Sequence, residues 1–316
     1  MPAAARGTVG PARVERFLRD QFDIERSPEP LRGGRWSAAY GFVSEGRRLV
    51  MRVGGDVADY RRDQLASTWA GAALPIPEFV ALGALDAVPY AITTWAPGDP
   101  LDELGTAERW TAVLAALAAA LEAIAAIEPP GEGCGTLGPD GVRFGSNRAY
   151  VLGWLLDPPD GRLGDWRASL EAVGAMAWYE RGCARIDEVF DVRWDRRRLV
   201  HTDLGAGNVL VDGAGLGGVI DWGNAIAGDP AADVAHLTFW APWHPGCPEV
   251  AVRRELTALL DGDDVDERVR AWELVEALAA VRFWAAVGEP RWIPYGVARA
   301  AELGSLSVGD PDVRQP

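Results

Sequence analysis

The sequence predicts an α+β chain of two lobes, a small antiparallel β lobe followed by a larger helical lobe with one hairpin embedded in it. Strand and turn patterns dominate residues 36–95, and from Thr106 onward apolar residues recur at helical spacing. A short β-rich stretch, residues 198–221, interrupts the helical half. A chain of 316 residues has room for about two such units.

The β lobe is predicted to span residues 1–96. Helical spacing indicates a first helix over residues 12–22. Trp36–Val43 and Arg48–Val53 flank a turn at residues 44–46 and therefore predict a hairpin. The remaining predicted elements are a helix over residues 57–71 and strands over residues 79–84 and 88–95. Pro97 and Gly98 follow the last strand and predict the hinge between the lobes.

The helical lobe is predicted to span residues 97–316. Thr106 is a suitable N-cap for a helix that runs to Ile127, and Pro129 and Pro130 end it. This segment is mostly alanine and contains Glu122, so we expect a buried helix rather than a membrane span. Further helices are predicted over residues 148–156, 165–182, 229–240, 248–260 and 266–287, and a frayed end is expected after Ser305.

Charge and composition exclude several functions. Arg and Lys total 31 against 46 Asp and Glu, so the formal net charge is −15, which disfavours non-specific nucleic-acid binding and suits a cationic small molecule. The chain contains no lysine, which excludes Schiff-base chemistry and a Walker A loop. Three scattered cysteines and three histidines do not form a disulfide framework or a His-rich metal centre. We expect a soluble, cytoplasmic protein, monomeric and without a membrane partner.

The embedded hairpin carries the chemistry. Residues 209–211 and 216–220 flank a glycine-rich turn, and a three-residue loop would place Asn208 opposite Ile220. A loop shifted by one residue would place Asn208 opposite residue 219 or 221, so every register puts Asn208 and Asp221 opposite or diagonal to each other. Asp203 precedes Asn208 by five residues, so three oxygen-bearing side chains converge. Carboxylate and amide oxygens together with nucleotide phosphates are the ligands that Mg²⁺ prefers. The spacing is that of a kinase catalytic loop.

Charge assigns the roles within this set. Asn208 and Asp221 are predicted to hold Mg²⁺ on the nucleotide phosphates, and Asp203 to accept the proton of a substrate hydroxyl. His201 is predicted to brace the loop. In the β lobe, Arg52 stands on the strand where a kinase carries its phosphate-pairing lysine. Its predicted acidic partner is Asp63, with Asp59 as the alternative.

The remaining predicted nucleotide contacts lie in the β lobe. A phosphate-covering turn is expected at Gly33, Gly34 and Ser37, although the full glycine-rich motif is absent. The strand end near Thr94 and Ala96 is expected to contact the nucleotide base through its backbone. ATP and GTP are both compatible with these residues.

Together these motifs resemble the aminoglycoside phosphotransferase family. The matching residues are His201-Thr202-Asp203, Asn208, Ile220-Asp221-Trp222 and Gly228-Asp229-Pro230, and the segments 72–78 and 239–243 resemble its hygromycin B branch. The resemblance implies a protein-kinase-like fold. It also implies transfer of the γ-phosphoryl of ATP or GTP to a hydroxyl of an aminocyclitol antibiotic, which would give resistance.

The acceptor is less constrained. Thr202 and Gly205 depart from the family's usual Gly and His beside the acceptor hydroxyl. Trp240 and Trp243 are predicted to contact the substrate, because indole faces suit sugar rings and ammonium groups. Asn224, Glu273 and Glu276 complete the predicted substrate set. Asp229 and Asp233 are interpreted as a helix cap and a brace of the catalytic loop.

Two alternatives stay open at this point. The acceptor is another small alcohol, such as a macrolide, a sugar or a choline-like compound, or the chain is a pseudokinase that binds nucleotide without turnover. Only seven residues lie between Asp221 and Asp229, too few for a protein-kinase activation segment, which disfavours a protein substrate. The presence of Asp203, Asn208 and Asp221 argues against the pseudokinase.

Overall fold

A twisted antiparallel sheet forms the N-terminal lobe in the computed structural model, which describes residues 9–304 except positions 25, 140, 142, 159–160, 191, 206 and 263. Helix α1, Pro11–Phe22, precedes the strands β1 (Glu29–Leu31), β2 (Ser37–Ser44) and β3 (Arg47–Gly54). The β2–β3 hairpin is confirmed, with Ser44 opposite Arg47 at the turn. The lobe has its own core, in which Val14 and Leu18 of α1 pack against Met51 and Ile92 of the sheet.

Helix α2 crosses from the sheet toward the second lobe. It spans Val57–Ser67, where residues 57–71 were predicted, and Asp56 caps it by accepting a bond from the Ala58 amide. Strands β4 (Phe79–Leu85) and β5 (Val88–Thr94) complete the sheet in the order β1-β2-β3-β5-β4. Ala66 at the end of α2 packs in the core of the second lobe, so this helix joins the two lobes.

A short strand follows β5 closely in the chain. Strand β6, Asp99–Pro100, already pairs with the catalytic hairpin of the second lobe. Gly98 precedes it with a φ of 103°, and a Cβ there would lie 2.3 Å from the Val211 carbonyl oxygen. A side chain is therefore excluded from the hinge by both conformation and space.

Helix α3, Ala107–Ala126, is the first long helix of the second lobe, and Thr106 caps it as predicted. Among the described residues it is the one helix long and apolar enough to cross a membrane. Trp110, Val113 and Leu117 on one face are nevertheless buried in the lobe's core. It therefore serves here as a core helix.

Within the described residues, the other elements of this lobe are the strands of two small sheets and seven more α-helices. The strands are β7 (Cys134–Thr136), β8 (Arg143–Phe144), β9 (Arg198–Val200), β10 (Val209–Asp212), β11 (Gly215–Val219) and β12 (Ile226–Gly228). The helices are α4 (Asn147–Leu156), α5 (Trp166–Ala172), α6 (Met176–Val189), α7 (Ala231–Trp240), α8 (Glu249–Thr257), α9 (Val265–Ala286) and α10 (Ile293–Glu302). The sheets have the orders β11-β10-β6 and β8-β7-β12-β9.

The structure differs from the sequence prediction in two respects in this lobe. The predicted helix over residues 165–182 is two helices, because Gly174 adopts a φ of 72° between them. Strands β7, β8 and β12 and helix α10 were not predicted; the first three are too short to show a period. The expected frayed end after Ser305 lies outside the described residues.

Candidate active site

The hairpin β10–β11 has one of the predicted pairings at the end that carries Asn208 and precedes Asp221. Val209 faces Val219, and the Ile220 amide donates to the Asn208 carbonyl at 2.9 Å, so Asn208 lies opposite Ile220. The predicted three-residue loop is wrong, since Asp212 pairs with Gly215 across a two-residue turn. A bulge between Leu210 and Val211 restores the register before Asn208 is reached.

Asp233 of α7 fixes the start of the catalytic loop. Its two carboxylate oxygens accept the backbone amides of His201, at 2.9 Å, and Thr202, at 2.7 Å. Thr202 adopts a φ of 66°, a conformation that a residue with a Cβ rarely takes and that explains why glycine is usual here. The Thr202 hydroxyl also donates to the Asn224 carbonyl at 3.0 Å. Asp233 is therefore the predicted brace.

His201 supports the loop from inside the lobe. Its side chain is fully buried and lies 4.5 Å from the Trp222 ring. The Asp203 amide donates to Nδ1 at 3.3 Å, so Nδ1 is the acceptor and Nε2 carries the proton that is donated to the Ile220 carbonyl at 3.0 Å. Burial lowers the pKa of His201 to about 4. The neutral ring thus joins the loop to the hairpin strand that precedes Asp221.

Asp203 presents its carboxylate beside a charged pair. His236 of α7 places Nε2 3.8 Å from Asp203 Oδ1, and its Nδ1 lies 3.2 Å from Glu276 Oε2. Although 43% of the Asp203 side chain is accessible, the surrounding protein desolvates the carboxylate and raises its pKa to about 6. Burial alone would lower the pKa of His236, but Glu276 and Asp203 raise it to about 9.

Asn208 and Asp221 fit the ligand set of a magnesium site. The Asn208 amide nitrogen donates to the Asp203 carbonyl at 2.9 Å, which leaves Oδ1 as the atom for a cation. Asp221 adopts a φ of 63° just beyond β11, and half of its side chain is exposed. No group of three His, Cys, Asp or Glu side chains within the described ranges is arranged to hold a metal. One carboxylate, one amide and nucleotide phosphates are the pattern that suits Mg²⁺.

Arg52 of β3 links the two lobes at this point. It donates to Asp221 at 3.1 Å and forms an ion pair with Asp63 of α2. The other Asp63 oxygen accepts the Trp222 amide at 2.7 Å. Asp59, the alternative partner, instead pairs with Arg62 and Arg162, each at 2.6 Å. Arg52 thus contacts an acid of each lobe.

The other predicted nucleotide residues lie at the edge of the first lobe. Gly33, Gly34 and Ser37 line a cavity of about 290 Å³ that Pro11 and Pro30 also border. The Thr94 amide donates to the Glu78 carbonyl and the Thr94 hydroxyl accepts the Glu78 amide, so these two groups serve strand pairing.

Ala96 lies at the junction of the lobes. A Cβ built on Gly218 would lie 2.6 Å from the Ala96 Cβ, so the hinge packs directly on the catalytic hairpin. This close approach explains a glycine within β11.

An aromatic cluster adjoins the catalytic loop. Trp240 packs edge-on against Trp243, with ring centres 5.9 Å apart, and stacks on Tyr295 at 6.0 Å. Trp243 is 39% exposed, whereas most of Trp240 is covered. The Trp240 indole N–H donates to Glu276 at 3.2 Å, which connects the cluster to the charged pair beside Asp203.

The two predicted substrate glutamates have different environments. Glu276 is 19% exposed and faces the loop. Glu273 is fully buried, where it accepts bonds from Thr238 and Arg253, each at 2.6 Å. The prediction that Glu273 contacts substrate is therefore wrong, and it joins α7, α8 and α9 instead. Asn224 is exposed beside Thr202, to which its carbonyl is bonded.

His236 is a site residue that the sequence reasoning missed. Its relation to Asp203 spans 33 positions and two elements, and no spacing rule connects them. One indication was available in the sequence, because Glu276, the partner of His236, was already predicted to lie near the acceptor.

The comparisons agree with this geometry. The chain matches the family described as Phosphotransferase enzyme family, APH, over residues 28–284. The chain belongs to this family. A curated relative, hygromycin-B 4-O-kinase of Escherichia coli, is 31% identical over 243 residues and is matched over 73% of this chain and 67% of its own length.

Solved structures confirm the kinase-like fold. The crystal structure of aminoglycoside phosphotransferase APH(4)-Ia matches with a TM-score of 0.76 and 28% identity over 92% of this chain and 97% of that one. A thermostable mutant of that enzyme, in ternary complex with AMP-PNP and hygromycin B, matches with a TM-score of 0.76 and 26% identity over 94% and 99% of the chains. The expected fold and the likeness to the hygromycin B branch are therefore both confirmed.

Proposed function

We propose that the protein transfers the γ-phosphoryl of ATP or GTP to a hydroxyl of an aminoglycoside of the hygromycin B type. The proposal is supported by the bond from the Asn208 amide to the Asp203 carbonyl, by the pairing of Asn208 with Ile220 next to Asp221, and by Arg52, which reaches Asp221 from the other lobe. The likeness to a curated hygromycin-B 4-O-kinase supports the choice of acceptor.

Each residue has a defined role in this reaction. Asp203 accepts the proton of the acceptor hydroxyl and orients its oxygen toward the γ-phosphorus. Asn208 and Asp221 would hold Mg²⁺, which neutralises charge on the phosphates when bound. Arg52 pairs with the phosphates, and Asp63 holds its side chain in place. Catalysis in this scheme consists of positioning and charge stabilisation.

The acceptor surface suits a cation. Asp203 and Glu276 place carboxylates beside the loop, and the exposed Trp243 offers an indole face next to them. Sugar rings and ammonium groups bind such faces. The formal net charge of −15 favours the approach of a polycationic antibiotic. Resistance to that antibiotic would follow from its phosphorylation.

A coupled ADP-release assay over a panel of antibiotics, hygromycin B first, tests the proposal. Phosphorus NMR of the product identifies the phosphorylated hydroxyl, and ATP is compared with GTP. Asp203→Asn is expected to lower kcat about 10²- to 10⁴-fold without loss of nucleotide affinity. Asp212→Asn is the matched control, because Asp212 is an exposed aspartate at the opposite end of the same hairpin.

Other outcomes assign other functions. Turnover of a macrolide, a sugar or a choline-like alcohol, with none of any aminoglycoside, would replace the proposed acceptor. Nucleotide binding without turnover of any acceptor would indicate a pseudokinase. Wild-type turnover in Asp203→Asn would remove Asp203 from its role.

We also propose the lobe boundary at residues 96 and 97. Support comes from β6, which pairs with β10 of the second lobe only three residues after Ala96.

We also propose that the protein is a monomer in the cytoplasm. Its three cysteines are free thiols, which is consistent with a reducing compartment.

A further inference from the structure

His236 lies between two carboxylates that come from different elements. Glu276 of α9 lies 3.2 Å from Nδ1, and Asp203 of the catalytic loop lies 3.8 Å from Nε2. The His236 side chain is only 10% exposed, and Glu276 is largely covered as well, whereas Asp203 keeps one side open to the cleft. The Nδ1 contact to Glu276 is within hydrogen-bond distance and orients the ring so that Nε2 faces the carboxylate proposed to accept the hydroxyl proton.

The catalytic loop leaves space for this ring. A Cβ built on Gly205 would lie 3.2 Å from His236 Nε2 and 3.3 Å from Cδ2, which is tighter than ordinary contact. Any larger side chain at position 205 would displace the imidazole. Gly205 has a φ outside the left-handed region, so the backbone itself does not require glycine there. Space for His236 is the remaining reason.

The charges around His236 favour its protonated form. Glu276 and Asp203 contact it directly, and Asp233 of its own helix contributes from the side of the loop. Arg253 of the neighbouring α8 forms an ion pair with Glu273 of α9, so these two residues together add no net charge near His236. The surrounding set is thus negative, and burial does not remove the proton: the pKa of His236 rises to about 9.

We propose that His236 is a positioning residue, an imidazolium anchored by Glu276 that holds the Asp203 carboxylate in the orientation needed to receive the acceptor proton. The inference rests on the proposed function, because it gives Asp203 that role. His236 itself contacts neither nucleotide nor acceptor in this scheme. The contact to Asp203 is expected to shorten to a charge-assisted hydrogen bond when the acceptor excludes water.

The first test needs no activity. The protein contains three histidines, so ¹⁵N-histidine NMR resolves each ring. His201 and His244 have lowered pKa values, which leaves His236 as the ring protonated at neutral pH. Asp203→Asn is expected to lower the pKa of His236 by about 1 or more, and Glu276→Gln likewise. An unchanged His236 pKa in Asp203→Asn would overturn the proposal.

The second test is kinetic. His236→Ala is expected to lower kcat about 10- to 100-fold, with the nucleotide KM unchanged, because Asp203 loses its orienting partner. The double variant Gly205→His with His236→Ala supplies an imidazole to the same space from the loop side. Free imidazole supplies it from solution. Recovery of kcat by either supports positioning, since neither restores a packing role of His236 in α7.

The two proposals fail in different ways. Failure of both rescues, with His236→Ala still folded, would overturn the positioning role. A wild-type protein that phosphorylates no acceptor would overturn the proposed function, and the NMR titration still decides the His236–Asp203 contact in that case.

Discussion

The buried ion pair between Asp229 and Arg268 gives the sharpest stability prediction. Arg268 donates to Asp229 through Nε at 3.1 Å and Nη2 at 2.9 Å, and the two side chains are 0% and 1% exposed. Asp229 also caps the first turn of α7 by accepting the Ala231 amide at 3.1 Å. The pair therefore fixes the helix that carries Asp233 and His236.

Arg268→Met keeps an unbranched apolar stem in place of the arginine's aliphatic part and removes the guanidinium with its charge. Asp229 then stays buried with a single donor, and the loss of one partner of a buried pair costs about 3–5 kcal/mol of unfolding free energy. The variant also loses the hydrogen bond that Arg268 donates to the Asp261 carbonyl at 2.7 Å, which lowers the free energy of unfolding by about 1 kcal/mol more. The free energy is measured by urea denaturation at neutral pH.

The chain offers a matched control in Arg13→Met. Arg13 binds Asp86 with the same two-bond geometry, at 2.8 Å each, but both side chains are exposed. This variant is expected to unfold as the wild type does, because water screens an exposed pair. The double variant Asp229→Asn with Arg268→Met should recover more than half of the single-variant loss, since no unpaired charge remains. Equal losses in Arg268→Met and Arg13→Met would refute the reasoning.

Three further predictions follow from the site. Arg52→Met should raise the nucleotide KM about 10- to 100-fold in the ADP-release assay, because a charge-assisted phosphate contact is lost. Trp243→Ala should raise the acceptor KM about 2- to 30-fold and leave the nucleotide KM unchanged. The third concerns His201, whose pKa is lowered from 6.5 to about 4 by burial. Between pH 6.5 and pH 4 the unfolded chain binds a proton at this histidine that the folded protein does not bind. The stability that this group contributes above pH 6.5 is therefore lost as the pH falls toward 4, and the free energy of unfolding decreases by about 2–3 kcal/mol at pH 4.5. Urea denaturation of the wild type and of His201→Gln, each at pH 4.5 and at a pH above 6.5, isolates this contribution. The raised pKa values of Asp203 and Asp233 act in the opposite direction, but they do so in both proteins and cancel in the comparison. Equal pH dependence in the two would contradict it.

The catalytic hairpin shows how far local sequence reaches. Strand pairing predicted that Asn208 and Asp221 lie opposite or diagonal in every register, and the structure shows Asn208 opposite Ile220, although the turn was predicted one residue too long. Two compensating irregularities, a shorter turn and a bulge, give the same register at the site. Pairing of the two apolar strands determines that register, because a slip by one residue would turn their buried faces outward.

Helices with strong periodicity were also predictable. Thr106 and the apolar spacing after it located α3 to within a residue at either end. The break at Gly174 was not found, because a glycine inside a helical pattern is tolerated as often as it ends the helix. The choice of Asp63 over Asp59 as the partner of Arg52 depended on which face of α2 meets β3.

The sequence by itself determined the lobes, the catalytic spacing and the family, because these depend on patterns within single elements. Only the tertiary structure decided that Glu273 is buried, that Asp63 holds Arg52, and that His236 lies beside Asp203. Each of these depends on how helices pack against a loop or sheet far away in the chain. Such contacts follow from the shape and charge of the assembled surfaces, which no local spacing encodes.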